Sequence, residues 1–230
     1  MLRSVIGLLL AWVVALWIGN CAARDAAQRR VARSIGDALT ADAAIAGADL
    51  ALVRGRFSAH GLTVHRKGGQ LRASARSLVA ELAPLGWFFV DDELRGLTVT
   101  GVDLSLSGLD VLRTKASRRP VRTQAIDLRD ATVEFSLTGV VPMIGRAKLT
   151  IASMHAGPTT LTTPLSWVFS CKSFDGTLTL PGGMSTRITY ANGMLRAAGG
   201  FAGVTPIEMP FALPVKDAAR EVEQLIDLGK

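Results

Sequence analysis

Three histidines, one run of acids and one run of bases are the residues whose types and spacing suggest chemistry in this chain of 230. His60 and His65 stand close together, and His155 stands alone. A transition-metal site needs three or four His, Cys or carboxylate ligands at tight spacing. No cysteine or paired carboxylate accompanies these histidines, so they are expected at a hairpin or on the surface, and neither a metal nor a cofactor is expected. Asp91-Asp92-Glu93 is the densest acidic cluster. Adjacent carboxylates suit metal binding or acid–base work, but these follow the apolar run LGWFFV (85–90), where a solvated turn is expected. Ser166, in PLSWV, lacks the flanking glycines of a nucleophile elbow, and RKGGQ (66–70) reads as a turn, not as a phosphate-cradling loop. No enzyme is expected from these residues.

The basic run is RTKASRRPVR (113–122), with Arg113, Lys115, Arg118, Arg119 and Arg122. The whole chain carries a net charge of +7. Nucleic acid and anionic lipid headgroups both suit such a balance. A nucleic-acid module would interleave stacking aromatics or show a recognisable motif. Neither is present, and no nucleic-acid partner is expected. Two readings of the run stay open. One is contact with anionic headgroups, where each base near the surface contributes about 1 kcal/mol. The other is a solvated loop with no partner.

The elements that must position these residues begin with SVIGLLLAWVVALWIGNCAA (4–23), apolar except for Ser4 and Asn20. A helix of about 20 residues matches the roughly 30 Å of a bilayer core. An uncleaved transmembrane anchor over 1–23 is expected, with a cleaved signal peptide ending at the small residues Cys21-Ala22-Ala23 as the alternative. Asn20 disfavours a lipidated Cys21. Arg24, Arg29, Arg30 and Arg33 follow the run and would by charge alone keep the rest of the chain in the cytoplasm. Ala27, Val31, Ile35 and Leu39 then fall at four-residue spacing, which predicts a helical stalk over 24–47 packed on the domain, with a helix lying along a headgroup layer as the alternative. Cys171 is the only cysteine beyond Cys21, so no disulfide framework forms within the folded part.

From Asp49 the period becomes two. Leu62 and Val64 share a face, and ARSLVAEL (75–82) places Arg76, Leu78, Ala80 and Leu82 on one side. Within ELRGLTVTGVDLSLSG (93–108), Leu97 and Val99 share a face, whereas Val102, Leu104 and Leu106 continue with the opposite parity. A one-residue slip moves every side chain to the other face, so a bulge or bend is expected at Gly101. The parity switches again near Arg129-Asp130, between Ile126-Leu128 and Val133-Phe135-Leu137. PGG (181–183) and ANG (191–193) are turn signals, the latter for a hairpin. TPLSWVFSC (163–171) has no clear period and reads as a short helix or covering loop. Ala218, Val222, Leu225 and Ile226 predict a short helix over 215–230. The fold class expected is mainly β: a transmembrane helix, a curved antiparallel β-sheet domain over 48–214 with eight to ten strands, and that C-terminal helix.

The apolar segment, then GRF (55–57), GLTV (61–64) and LRGLTVTGVDLSL (94–106), resembles the start of AsmA-like envelope proteins, the group that includes TamB. The likeness is clearest over residues 54–108 and continues only in style to Pro214. It implies an inner-membrane, single-pass protein held through residues 4–23, with the β-domain in the periplasm, against the arginine distribution. It also implies a curved sheet whose apolar face handles the acyl chains of phospholipid. Ten strands about 4.8 Å apart span only about 50 Å, too little to bridge two membranes. Leu97, Val99, Val102, Leu104, Leu106, Val133 and Phe135 are the residues expected to face lipid. Alternation alone fits an open groove and a closed sandwich equally. The expected role is lipid handling or envelope maintenance. The alternative is an accessory scaffold of a secretion or lipopolysaccharide-export apparatus, joined to an envelope partner by sheet-edge pairing.

Overall fold

The computed structural model describes residues 21–37, 39, 41–51, 54–66, 68, 71–83, 93–107, 121–136, 145–161, 170–200, 203 and 205–211. Among the described residues the one α-helix, α1, covers 21–37. The expected membrane-spanning helix is corrected: among the described residues no helix is long and apolar enough to cross a membrane. Residues 1–20, which hold most of the apolar run, lie outside the described residues. The inner-membrane, single-pass placement and the periplasmic side that rested on that helix fall with it. Residues 215–230, expected as a helix, also lie outside the described residues, as do 163–169.

Thirteen strands follow α1: β1 (Asp42–Ala51), β2 (Arg56–His65), β3 (Leu71–Glu81), β4 (Glu93–Leu94), β5 (Gly96–Leu106), β6 (Val121–Thr123), β7 (Ile126–Ser136), β8 (Arg146–Ala156), β9 (Thr159–Leu161), β10 (Cys171–Thr179), β11 (Ser185–Ala191), β12 (Met194–Ala198) and β13 (Ile207–Pro210). Ten of them form one sheet in the order β1-β2-β3-β5-β7-β8-β10-β11-β12-β13. The expected all-antiparallel sheet is corrected here too, because β5 and β7 pair in parallel. A parallel neighbour needs a crossover of a dozen or more residues, and 107–125 is long enough. Alternation reads the same in either direction, so it could not show this. Short strands β4, β6 and β9 make a second sheet beside the start of β5 and β7.

A crease runs across the first six strands of the main sheet. Registers hold on both sides of it, yet no ladder pair forms at Ala46/Gly61, Gly61/Arg76, Arg76/Gly101, Gly101/Asp130 or Asp130/Ala152. Each strand spends one extra residue there, so the apolar parity flips in every strand at the same level. Leu78 pairs with Val99 above the line, and Ala75 with Val102 below it. Because the extra residue is matched from strand to strand, the bend leaves the register intact. Gly61, Gly101 and Asp130 have φ of 63°, 65° and 52°. These three lie on the strands running one way, and Ala46, Arg76 and Ala152, on the strands running the other way, need no left-handed backbone. Glycine tolerates that conformation, and Asp is among the few side chains that do. At β10 the line ends: Asp175 faces Ser153 while Gly176 faces Ile151, leaving Ala152 as an ordinary bulge.

The helical stalk packs on one end of the sheet, as expected, but it is shorter than 24–47: residues 42–47 belong to β1. Ala27, Val31, Ile35 and Leu39 pack on a core of Ile45, Ala48, Leu50, Phe57, Ala59, Leu62 and Val64. Phe57 is 0 % exposed. Arg76 sits on the crease and is exposed, so it does not share the face of Leu78 and Ala80 as grouped from the sequence. Two side chains tie helix to sheet: Gln28 Nε2 donates to the Ile45 carbonyl at 2.7 Å, and Arg66 Nη2 donates to the Leu39 carbonyl at 2.8 Å.

Candidate functional site

The crease lets every long strand keep its apolar residues on a single face. The registers place Leu97 beside Ile126, Val99 beside Leu128, Val102 beside Ala131, Leu104 beside Val133 and Leu106 beside Phe135. All seven residues expected to face lipid thus lie together at the centre of the apolar face. Leu106 is buried and the other six are half-buried. The same face continues where the sequence did not point. One row runs Leu128, Met154, Phe174, Tyr190, Leu195 and Met209 from β7 to β13. The next contains Ile188, Ala197 and Ile207. Their signal was present in the period of two from Ser173 onward, but these strands are short and rich in threonine.

Burial along this face changes from one end to the other. At β1–β3 it is sealed under α1. Along the crease, Leu128, Ala131, Ile151 and Met154 bury one another, with Ala131 1 % exposed. At β10–β12 the face is half-buried. At β13, Ile207 is 45 % exposed, Met209 44 % and the following Phe211 40 %. Phe211 stands edge-on to Tyr190, with ring centroids 6.4 Å apart, an arrangement favoured by the ring quadrupoles.

The opposite face carries the polar residues. His155 Nδ1 lies 2.9 Å from Asp127 Oδ1, with both groups more than a third exposed. Asp175 is held separately by a two-pronged contact from Arg187, at 2.9 and 3.2 Å. His155 and Asp175 therefore engage different partners. His60 lies over Gly47, on the bare backbone of the neighbouring strand, far in sequence register from His155. Among the described residues no group of His, Cys, Asp and Glu could hold a metal ion. A depression of about 310 Å³ also lies on this face, where long Arg72 and Glu134 flank the short Ser105, with Asp103, Ser74 and Thr132 in the adjoining row.

Of the basic run, only Arg122 lies among the described residues. Arg113, Lys115, Arg118 and Arg119 lie outside the described residues, as do Asp91 and Asp92. Arg122 lies in β6, in register with Glu93 of β4 and Thr160 of β9, beside an acid and away from the apolar face. Cys171 opens β10 with its Sγ donating to the Ser173 carbonyl at 3.2 Å. Burial pushes its thiol pKa up, and that hydrogen bond opposes the shift in part. No protein-family model and no curated protein matches the chain.

Proposed function

We propose that the chain binds the hydrocarbon part of a lipid along the apolar face of its main sheet, in a lipid-handling role. The observation that carries this reading is the graded burial of one continuous apolar face, sealed by α1 at β1–β3 and exposed at β13. An apolar sheet face must be covered by another layer or by a ligand. At its exposed end, an aliphatic side chain, Ile207, an adaptable methionine, Met209, and the Tyr190–Phe211 aromatic pair suit a flexible hydrocarbon chain. The resemblance of residues 54–108 to AsmA-like proteins points the same way.

The energetics are sufficient. Seating about eight methylenes at ~0.8 kcal/mol each gives about 6 kcal/mol, a dissociation constant on the order of tens of micromolar. The test is titration of the purified full chain with a fluorescent long-chain fatty acid. Saturable binding that weakens several-fold in the Ile207→Lys, Met209→Lys double variant, with the circular dichroism unchanged, is the expected result. No saturable binding, or equal affinity in the variant, removes the proposal.

A further inference from the structure

An open sheet of ten strands has two edges, and an unpaired edge is a template for another chain. The hydrogen-bond phase at each edge is fixed by bonds further in. At the β13 end, the Phe211 amide donates to the Gly193 carbonyl at 2.8 Å. Peptide groups alternate along an antiparallel pair. The N–H groups at Met209 and Ile207 therefore point to β12, and positions 206, 208 and 210 point outward. The two-residue hairpin at Asn192-Gly193, with Ala191 paired to Met194, gives the same phase. Positions 206 and 210 are both proline. Of three outward donor positions on this edge, only Glu208 has an N–H.

At the β1 end, the Arg66 amide donates to the Leu71 carbonyl at 3.1 Å. By the same alternation the Leu62 peptide groups point to β3, so those of its β1 partner Ile45 point outward. The Ile45 carbonyl is the one that Gln28 of α1 occupies. The last turn of α1 also lies beside the start of this edge: a Cβ on Gly36 would meet the Ala41 carbonyl oxygen at 2.7 Å and the Ala43 nitrogen at 3.7 Å, and the Ala41 amide donates to the Gly36 carbonyl at 2.9 Å.

We infer that both edges of the sheet formed by the described residues resist strand addition, β13 through Pro206 and Pro210 and β1 at Ile45 through Gln28 of α1. A protein partner or a second copy of this chain must then meet a face and not an edge. This inference is independent of lipid binding, and it removes support from the scaffold alternative, which required edge pairing.

The test is disulfide trapping in a full chain with Cys21→Ser and Cys171→Ser. A Glu208→Cys probe reports β13 edges that meet, and Arg187→Cys, exposed on the polar face, sets the background of random collision. The expected result is background dimer with Glu208→Cys and a several-fold rise when Pro206→Thr and Pro210→Thr are added. Dimer well above background with the prolines present, or no rise without them in a variant of native circular dichroism, overturns the inference. Should the proline variant fail to fold, Ala44→Cys with and without Gln28→Ala asks the same question at the β1 edge, with the same two overturning results.

Discussion

The crease makes a sharp prediction on a single strand. Gly101 and Gly96 both belong to β5, and an alanine at each should act in opposite directions. At Gly101 the backbone has φ of 65°, and a new Cβ would sit 2.8 Å from the Arg76 Cβ. A left-handed alanine costs about 1–2 kcal/mol. The clash adds about 1–3 kcal/mol, because the Arg76 Cβ is fixed to the neighbouring backbone and cannot swing away. A total loss of about 2–5 kcal/mol, at a urea m-value of ~2 kcal/mol/M, lowers the unfolding midpoint by about 1–2.5 M. At Gly96 a Cβ meets nothing nearer than the Glu81 Oε2, 4.0 Å away. There alanine only restricts the unfolded chain and should stabilise by about 0.4–1 kcal/mol. Asp130→Gly is a third arm: it relieves a left-handed side chain but loosens the unfolded state, and should stay within about 1 kcal/mol of wild type. Urea unfolding followed by circular dichroism reads all three. If Gly101→Ala is no less stable than Gly96→Ala, the crease does not depend on a left-handed residue and its account here is wrong.

Phe57→Ala, at a site fully sealed beneath α1, should cost about 3–5 kcal/mol and lower the melting temperature accordingly. Thr186 is fully buried and donates to the Gly199 carbonyl at 3.1 Å; Thr186→Val should cost about 1–3 kcal/mol in urea unfolding, and Thr186→Ser, which keeps the hydroxyl, should recover part of it. The Cys171 thiol pKa is raised in the folded chain. Its thiolate should therefore form only at higher pH than in the unfolded chain, and iodoacetamide labelling of a Cys21→Ser variant near pH 8.5 should be slower folded than in urea. By linkage, the stability tied to this thiol is fully present below its unfolded pKa and is lost as pH rises through the higher folded value.

Much of the sheet was legible because its strands alternate cleanly. The parity slips at Gly101 and at Arg129-Asp130 were both visible, and both lie on the crease. Their counterparts at Ala46, Arg76 and Ala152 were not, because those strands cross the bend without a left-handed residue and so carry no glycine there. The Asn192-Gly193 hairpin announced itself through turn chemistry, with φ of 53° and 74° at its two central residues. The parallel step from β5 to β7 was hidden, since only the length of 107–125 distinguishes it from an antiparallel connection. Packing of α1 on the sheet was legible in the four-residue spacing of Ala27, Val31, Ile35 and Leu39, but the helix's end before Asp42 was not. Ala27 and Ala32 make a weak apolar stripe by hydropathy, yet small side chains let a helix sit close to a sheet. Central members of the candidate site were found from alternation. Its exposed end at Ile207, Met209 and Phe211 was not, because β13 is too short to show a period.

The crease also constrains how this sequence can change over time. Deleting one residue from a single strand would restore that strand's alternation while its neighbours kept theirs broken, turning half of its side chains to the wrong side. Gain or loss of length at this level is therefore tolerable only in all six strands together, a coordinated change that single insertions and deletions cannot reach. The positions of indels among natural variants should accordingly avoid the line from Ala46 to Ala152 and gather in the connections between strands.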